Sequence, residues 1–492
     1  MSKTDPERYF HQMMKRERQI RASMLTLGFL ILSCGDDDNA FLDEAYFDGE
    51  CTDGEASRFI RDVSQEWYLY REQLPELDVA SFDTQRNYLA ALIENVDLAP
   101  NSPDVQAEDR FSFVTSVQSF EVSSTGNFVG IGIRYRIEEE EDEGERGLRL
   151  VDVLGATERE NPTPAGEAGL NRADRIIAIN GRSVQSIIDE RDDDQSEGAA
   201  VSEALGPGEE GARVDFTVVR PDGTQFEASI VRRPIEQSEV PVAQVFERGD
   251  DRRIGYMVFR RFTPSSAEDL RLAAIEFEEA GVTDLIVDMR YNGGGRIAVA
   301  NYMADLIYGT RADGETFNRT VYNDLNSDRT RSLFFGSPEC PDDSGCQGDS
   351  VGLSQVQSLT FITTGSTASA SEMLINGLGV YLPVRIVGSA SLGKPVGFLS
   401  FEHADCDQVY APVTLKTVNA NDDGDFFDGF PVDCPAEDDI TRRLGDEQES
   451  SLSAALSLID TGECPTDGAG LSLRQAPAPK SYAEVEAGLR WW

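Results

Sequence analysis

Short apolar runs alternate with longer amphipathic stretches in the second half of the chain. The short runs, typical of buried strands, lie at 254–259, 282–289, 359–364 and 384–387. The longer stretches carry apolar residues three to four positions apart, which predicts helices at 266–280, at 297–307 and directly after residue 369. This alternation predicts an α/β fold whose parallel strands are joined by right-handed crossovers. The turns that follow these strands then share one edge of the sheet.

The flanking regions have different patterns. Helical spacing between 56 and 98 predicts a small helical cap, and short strand-like runs between 117 and 237 predict a β-rich domain. In chain order the prediction is a leader at 1–34, an acidic tether at 35–55, a helical domain at 56–116, the β-rich domain at 117–237, a core at 238–463 with a polar insertion at 310–350, and a Pro-rich, disordered tail at 464–492. The predicted fold class is therefore α/β for the core, and α+β for the multidomain chain as a whole.

Two of the predicted turns carry reactive side chains. Ser369 lies in a turn of small residues after one strand, and Lys394 lies 25 residues later in a Gly-rich turn after the next strand. If the strands are parallel neighbours, the two side chains lie next to each other. A serine hydroxyl becomes a nucleophile when a base removes its proton, and a neutral lysine amine is such a base.

Burial is what a lysine base requires. The lysine amine titrates near 10.4 in water, so action near neutrality needs a pKa lowered by about 3 units, or about 4 kcal/mol. The residues around Lys394 can provide an apolar site, since they include Leu392, Pro395, Val396 and Phe398. The spacing and surroundings predict a hydrolase site.

A third turn supplies candidate hydrogen-bond donors. The strand at 282–289 is followed by Gly293, Gly294 and Gly295, which allow the backbone to approach a ligand closely. One of these N–H groups, together with that of Ala370 directly after the serine, would form an oxyanion hole.

The combination of these motifs resembles the S41 family of serine peptidases, the tail-specific or C-terminal-processing proteases. The motifs are Thr-Ala-Ser-Ala-Ser-Glu around Ser369, Gly-Lys at Lys394, and Asp-Met-Arg-x-Asn-Gly-Gly from Asp288. The resemblance implies that Ser369 is the nucleophile, Lys394 the general base, and Gly294 with Ala370 the oxyanion donors. It also implies a crotonase-like ββα catalytic core.

One position departs from this family. Its processing proteases usually have a glutamine four residues after the lysine, which orients the amine, whereas this chain has Phe398 there. Glu372 is our candidate for the orienting role. The N-terminal stretch, including Asp109-Arg110-Phe111-Ser112, resembles lipoprotein members of the same family, and we assign no chemistry to it.

The β-rich domain resembles a PDZ domain in its stretch from Ala168 to Gly181, which matches Gly-Asp-x-Ile-x-x-Ile-Asn-Gly with Ala173 where glycine is usual. Asn180-Gly181 predicts a tight turn between strands. PDZ domains bind C-terminal peptides by adding a strand to a sheet edge and holding the carboxylate on backbone N–H groups. The corresponding loop here would be Val129, Gly130, Ile131 and Gly132. The predicted partners are therefore polypeptides, bound through their C-termini.

The first 34 residues resemble an export signal. Basic residues precede an apolar run, Met24 to Leu32, that is too short to span a bilayer as an ordinary helix, and Ile31-Leu32-Ser33-Cys34 resembles a bacterial lipobox. We expect lipidation at Cys34 and a place in the bacterial cell envelope, anchored in the outer membrane and facing the periplasm or the exterior. A plain secretory signal and a short anchor are the alternatives.

Composition limits the partners and the chemistry. The 492 residues include 89 acidic and 44 basic ones, a formal charge of −45, which disfavours nucleic acid and anionic lipid. Only two histidines occur, His11 and His403, and we expect the second at the surface, so a Ser-His-Asp triad is disfavoured. Apart from Cys34, six cysteines fit up to three disulfides in an oxidising compartment. From proximity we predict the pairs Cys340–Cys346, Cys406–Cys434 and Cys51–Cys464.

Two further segments resemble the binding loops of other protein classes, but each lacks a residue that its loop needs. Gly388 to Lys394 spells a phosphate-loop pattern, but Pro395 removes the hydroxyl and the N–H that the loop needs. Asn419 to Gly424 resembles the start of a calcium loop, but Phe430 stands in place of its last acidic ligand. We therefore predict no cofactor and no metal. A peptide-binding lipoprotein without turnover remains an alternative because of Phe398; an acyl-CoA enzyme would need an adenine pocket that we do not find.

Overall fold

The computed structural model describes residues 51–100, 107–125, 128–139, 145–155, 157, 160–191, 195–249, 252–336, 352–465 and 490–491. The predicted leader with Cys34, nearly all of the acidic tether, the Cys340–Cys346 pair and most of the tail lie outside these residues. Within the described residues, no helix combines the length and the apolar character needed to cross a bilayer.

The N-terminal region forms the predicted helical cap. Its helices and first strand are α1 (Asp53–Trp67), α2 (Gln85–Ile93), β1 (Phe113–Thr115) and α3 (Val117–Thr125). Helix α1 begins with a capping box in which Thr52 and Glu55 exchange hydrogen bonds of 3.0 and 3.2 Å. Its apolar stripe is buried against the core. His403, expected at the surface, is buried there instead, with its ring 5.2 Å from that of Phe59.

The β-rich domain contains eight strands and three short helices among the described residues. They are β2 (Phe128–Gly130), β3 (Ile133–Glu139), β4 (Arg146–Val153), α4 (Pro164–Glu167), β5 (Arg175–Ile179), β6 (Arg182–Ser183), α5 (Val184–Asp189), α6 (Glu197–Leu205), β7 (Arg213–Val219), β8 (Gln225–Val231) and β9 (Arg233–Ile235). The sheet order is β3-β4-β5-β7-β8, β6 pairs with β5, and β2 pairs separately with β9. The predicted turn at Asn180-Gly181 joins β5 to β6, with φ values of 50° and 78°. Ala173 has φ 75°, which explains why glycine is usual at its position.

The core follows the predicted alternation of strand and helix. Its elements are β10 (Val242–Glu247), β11 (Arg253–Val258), α7 (Ser266–Ala280), β12 (Asp284–Asp288), α8 (Ile297–Ala304), a π-helical turn (Asp305–Gly309), α9 (Thr310–Ala312), β13 (Thr316–Tyr322), β14 (Arg331–Phe334), β15 (Ser358–Thr363), α10 (Ala370–Leu378), β16 (Val384–Gly388), β17 (Val396–Phe398), β18 (Phe401–His403), β19 (Gln408–Ala411), β20 (Val413–Asn419), β21 (Cys434–Pro435) and α11 (Ser450–Thr461). A final strand, β22 (Arg490–Trp491), pairs with the β-rich domain.

One sheet of the core has the order β10-β11-β12-β15-β16-β21. Every neighbouring pair from β11 to β21 is parallel, whereas β10 and β11 are antiparallel. In this register Asp288 pairs with Ile362, and Ile362 with Val387, so the three strands end together. The prediction that their following turns share one sheet edge is confirmed.

Residues 316–334, which we assigned to a polar insertion, instead form part of the packed core. Strands β13 and β14 belong to a sheet of order β14-β13-β20-β17, and Phe317 and Leu333 are buried. The polar content misled the assignment because Asn318 and Thr320 are buried within this sheet.

The two disulfides in the described residues join Cys51 to Cys406 and Cys434 to Cys464, with Cα separations of 5.0 and 5.6 Å. The predicted pairs Cys406–Cys434 and Cys51–Cys464 are therefore wrong. Sequence proximity was a poor guide because Cys406 follows β18, against which α1 packs, while Cys434 lies in β21 next to α11.

A close approach between α10 and β13 can be tested with alanine. A Cβ added to Gly377 would lie 2.4 Å from the Phe317 ring and 2.9 Å from its carbonyl oxygen. We expect Gly377→Ala to lower the free energy of unfolding by about 1–3 kcal/mol in denaturant titrations, because overpacking outweighs the gain in helix propensity. The control is Gly365→Ala, where a Cβ meets nothing within 4 Å. Equal stability of the two variants would contradict the packing argument.

Candidate active site

Hydrogen bonds join the three turns at the shared edge of the sheet. The N–H of Ala368 donates to the carbonyl of Asn292 at 3.1 Å, and the Thr367 hydroxyl donates to the carbonyl of Met289 at 2.8 Å. On the other side, the N–H of Leu392 donates to the carbonyl of Thr367 at 2.9 Å. The turn that carries Ser369 is therefore held between the glycine turn and the lysine turn.

Ser369 lies directly before helix α10 and is half-buried. Its backbone has φ 57° and ψ −117°, a conformation that costs a non-glycine residue about 1–3 kcal/mol. Such strain persists only where the surroundings determine it. Here the Ala368 hydrogen bond constrains the residue from one side, and the Glu372 carboxylate constrains it from the other.

The Glu372 carboxylate links the serine turn to the lysine turn. One oxygen accepts the N–H of Ser369 at 2.9 Å and the N–H of Lys394 at 2.8 Å. The other oxygen accepts the N–H of Gly393 at 2.7 Å and the hydroxyl of Ser391 at 2.6 Å. Burial raises the pKa of Glu372 above its usual value, and these four hydrogen bonds oppose the shift. Glu372 thus positions the backbone on which both reactive side chains stand.

Lys394 is buried, with 2% of its surface exposed, and its amine lies against aromatic rings. The Nζ atom is 4.8 Å from the centre of the Phe398 ring and 5.6 Å from that of Phe111. Leu392 and Val396 are buried nearby, as the sequence predicts. Phe398, four residues after Lys394, is therefore close to the Lys394 amine. At this position it presents an aromatic ring and not the amide of a glutamine.

Phe111 comes from the N-terminal region, to which we assigned no chemistry. Its neighbour Arg110 donates to the carbonyl of Leu392 at 3.1 Å, and burial lowers the pKa of this arginine. The Asp109-Arg110-Phe111-Ser112 motif is visible in the sequence. The spacing of apolar residues, however, could not show that Arg110 and Phe111 contact the lysine turn. Asp109 accepts the hydroxyls of Tyr68 and Ser112, both at 2.6 Å, which holds the motif in place.

The predicted oxyanion donors are brought together. A Cβ added to Gly294, which has φ 102°, would lie 2.8 Å from the Ser369 Cβ and 2.9 Å from the Ala370 nitrogen. The N–H of Gly294 donates to Oδ1 of Asn292 at 2.9 Å. The N–H of Ala370 meets no acceptor among the described residues. In the described part of the chain Ala370 is thus a free donor, whereas the N–H of Gly294 is bound to Asn292.

Buried ion pairs fix the start of the glycine turn. Arg290 is 3% exposed and pairs with Asp288 and Glu449, both at 2.7 Å, and with Asp438 at 3.0 Å. Burial raises the pKa of Asp438, but the guanidinium groups of Arg172 and Arg290 outweigh burial and leave it below its usual value. The Tyr291 hydroxyl also donates to Asp438. The turn is therefore anchored both to the β-rich domain, through Arg172, and to the segment before α11.

The predicted peptide loop joins β2 to β3. Val129 and Gly130 pair with β9, and Gly132 has φ 87° with no room for a Cβ, which would lie 2.6 Å from the Thr163 hydroxyl oxygen. Ile131 is fully buried. The loop is thus a tightly packed turn directly before an edge strand of the domain's sheet.

No cluster of three or more metal-ligating side chains lies within the described residues. The segment resembling a calcium loop closes on itself, because Oδ1 of Asn419 accepts the N–H groups of Asn421 and Asp423.

The Glu372 link predicts a stability change. We expect Glu372→Gln to lower the free energy of unfolding by about 2–4 kcal/mol, because an amide NH₂ group cannot accept the buried N–H donors that face it. Denaturant titration at neutral pH measures the change. The matched control is Glu402→Gln on an exposed position of β18, which should stay within about 0.5 kcal/mol of the parent. A Glu372→Gln protein as stable as this control would contradict the linking role.

Comparisons with known proteins identify a family and several similar proteins. Residues 253–430 match peptidase family S41, and residues 55–113 match the peptidase S41 N-terminal domain. The carboxyl-terminal-processing protease of Synechocystis sp. is 23% identical over 344 residues, covering 69% of this chain and 68% of that protein. The carboxy-terminal processing protease CtpA of Bacillus subtilis is 28% identical over 284 residues, covering 56% of this chain and 49% of that protein.

A solved structure shares the fold. It is a Bacteroides fragilis protein assigned to the S41 proteases, with a TM-score of 0.63 at 20% identity, and the match covers 82% of this chain and 97% of that one. Two regions of the chain therefore match peptidase family S41 and the peptidase S41 N-terminal domain, and the chain is a homologue of the carboxyl-terminal-processing proteases, which are serine-type peptidases.

Proposed function

We propose that this chain is an endopeptidase that uses a Ser369–Lys394 dyad on a crotonase-like core and binds substrates through a PDZ-like domain. The observation that carries the proposal is the Glu372 carboxylate, which accepts the main-chain N–H groups of both residues on one oxygen atom. Two reactive residues from different turns are thereby held at a fixed separation, as a nucleophile and its base require.

The reaction follows from this placement. The Ser369 hydroxyl attacks the scissile carbonyl, an Oγ–C bond forms, and the Lys394 amine takes the hydroxyl proton. The N–H of Ala370 stabilises the negative charge on the carbonyl oxygen. In this proposal the Asn292 amide releases the N–H of Gly294, which then becomes the second donor. When the C–N bond breaks, the lysine returns its proton to the leaving amine. Water then repeats the sequence on the acyl-enzyme, and the proton returns to Ser369.

The aromatic surroundings of Lys394 have two opposing effects on this base. Burial disfavours the charged ammonium because it removes water, whereas the ring faces of Phe398 and Phe111 attract the ammonium. The rings also restrict the side chain. In this proposal they take over the orienting role that glutamine has in the relatives.

The β-rich domain supports the second part of the proposal. It has an edge strand, β3, preceded by a buried loop of backbone N–H groups, which is the arrangement that β-strand addition needs. The domain is also joined to the catalytic turn, since the Arg172 guanidinium donates to the Tyr291 hydroxyl at 3.0 Å. Substrate C-termini bound at Val129–Gly132 would lie in a domain attached to the glycine turn.

We also propose that the protein is exported and lipidated at Cys34, so that it acts in the bacterial cell envelope. The support is the lipobox-like Ile31-Leu32-Ser33-Cys34 sequence and the two disulfides, which favour an oxidising compartment.

The dyad is tested by two alanine variants. Ser369→Ala and Lys394→Ala should each reduce kcat/KM for a fluorogenic peptide with an apolar C-terminus by about 10⁴-fold or more. Ser389→Ala, on an exposed position of the lysine turn, and Lys416→Ala in β20 are controls that should keep activity. Thermal unfolding checks that all four variants fold.

A fluorophosphonate label separates the peptidase from a peptide-binding protein without turnover. We expect the parent and the Ser389→Ala control to be labelled at Ser369, and the Ser369→Ala variant to stay unlabelled. An unlabelled parent protein that still binds the peptide would establish the alternative, and full activity in either dyad variant would remove the mechanism.

The aromatic environment of the amine predicts a pH shift. We expect Phe398→Leu to move the midpoint of the pH dependence of kcat/KM to lower pH by about 0.5–1 unit, because losing the ring removes an attraction that favours the ammonium. Glu372, Arg110 and Asp428, which are charged groups near the lysine turn, are unchanged in the variant. The control is Phe113→Leu, which removes the edge contact to Phe398 at 5.3 Å but leaves that ring beside the amine. A midpoint that is unchanged, or that rises, would contradict this role of Phe398.

A further inference from the structure

A strand from the far end of the chain occupies the edge of the β-rich domain. Arg490 pairs with Tyr135 and Trp491 pairs with Arg134 in an antiparallel ladder between β22 and β3. Strand β3 has β4 on its other side, so β22 covers the edge that would otherwise be open. This is the position at which a bound peptide would add a strand.

The direction of the pairing leads towards the predicted peptide loop. Because the ladder is antiparallel, each step forward along β22 is a step backward along β3, from Tyr135 to Arg134 and on towards Gly132. Trp491 lies opposite Arg134, two residues from Gly132, so the strand runs towards the loop at Val129–Gly132. The strand therefore has the direction of a peptide that adds to this edge.

The loop itself presents backbone hydrogen-bond donors. Ile131 and Gly132 are buried, and their N–H groups meet no acceptor among the described residues. Their carbonyl groups, in contrast, accept the N–H groups of Ala165 at 2.8 Å and Leu154 at 2.9 Å. Buried backbone N–H groups are almost always paired, so two adjacent donors that meet no acceptor in the described part of the chain indicate a place where the acceptor group of a peptide can bind.

We propose that the segment around Arg490–Trp491 is an internal ligand of the peptide-binding edge, and that a substrate must displace it to bind there. This inference rests on the proposed role of β3 and the Val129–Gly132 loop as a peptide site. In this inference the Arg490–Trp491 segment competes with substrate for the peptide-binding edge, so the chain regulates its own peptide binding.

The tether is long enough for this competition. Between Pro465 and Arg490 the chain has 24 residues, and an extended residue spans about 3.3–3.6 Å, so the segment can reach about 80 Å from the end of the core. An intramolecular ligand on such a tether has an effective concentration on the order of millimolar. A free peptide that binds in the micromolar range is then outcompeted at least tenfold.

Peptide binding to two forms of the chain tests the proposal. The probe is a fluorescein-labelled peptide of residues 483–492, Ala-Glu-Val-Glu-Ala-Gly-Leu-Arg-Trp-Trp. Both forms carry Ser369→Ala so that the probe is not cleaved, and one ends at residue 489. We expect this shortened form to bind the probe at least tenfold more tightly than the full chain in fluorescence anisotropy. Equal affinity, or no binding to the shortened form at 1 mM, would overturn the proposal.

A full-length variant controls for effects of the deletion. Arg490→Pro with Trp491→Pro keeps the length but removes two strand N–H groups, so it should bind the probe as the shortened form does. Hydrogen exchange gives a second measurement, because amides of β3 that face β22 should exchange at least tenfold faster in both altered forms and slow again when probe is added. Unchanged exchange along β3 would show that β22 does not cover this edge.

The outcomes distinguish this inference from the proposed function. In one outcome the shortened form binds the probe more tightly, but Ser369 of the parent chain is not labelled by the fluorophosphonate. This outcome would support the internal ligand and contradict the peptidase mechanism. In the other outcome Ser369 is labelled and the peptide is cleaved, but the full and shortened forms bind the probe equally well. This outcome would support the peptidase mechanism and contradict the internal ligand.

Discussion

The candidate site depends on one buried carboxylate. Glu372 is fully buried, and an ionised carboxylate in such a place costs several kcal/mol unless its oxygens are hydrogen-bonded. The chain meets that requirement with three main-chain N–H groups and one hydroxyl, all from the serine and lysine turns. Parallel strands place two turns at the same edge of a sheet, and the shared acceptor, together with the hydrogen bond from Leu392 to Thr367, fixes the distance between them. The same contact that satisfies the buried charge therefore positions the reactive pair.

At the glycine turn, buried charges are paired with opposite charges, whereas Glu372 is satisfied by main-chain N–H groups and a hydroxyl. The chain as a whole carries a large negative excess, yet its buried interior concentrates arginine and carboxylate pairs where segments meet. Arg290 connects the end of β12, through Asp288, to the cap of α11, through Glu449. Arg260 makes a bidentate pair with Asp152 of the β-rich domain at 2.8 and 3.0 Å. Breaking such a pair leaves a buried charge without compensation, so these contacts hold segments in one arrangement. The donors near Ser369 take their position from this frame.

The lysine site combines distant parts of the chain. Phe111 arrives from the N-terminal region and Phe398 from β17, while segment 427–430 packs so closely that a Cβ on Gly393 would lie 2.1 Å from the Phe427 carbonyl oxygen. An amine enclosed in this way is held by shape and by ring electrostatics. The N-terminal region is thus part of the surroundings of the Lys394 amine. The β-rich domain has a comparable long-range contact, because its edge strand is paired by a segment from the end of the chain.

The sequence alone determined the local elements and the chemistry that they carry. Apolar runs and helical spacing located β11, β12, β15, β16 and the helices between them, because burial of a strand or of one helix face leaves a periodic pattern in the chain. The rule that crossovers are right-handed then brought Ser369, Lys394 and Gly294 to one edge. Only the tertiary structure decided what surrounds them: that Glu372 binds main-chain N–H groups, that Phe111 faces the amine, and that Asn292 takes the N–H of Gly294. It also decided the pairing of Cys51 with Cys406 and the place of β22. None of these contacts leaves a periodic pattern in the sequence, whether the residues are two positions apart, as Asn292 and Gly294 are, or hundreds, as Cys51 and Cys406 are, since each depends on how the elements pack in space.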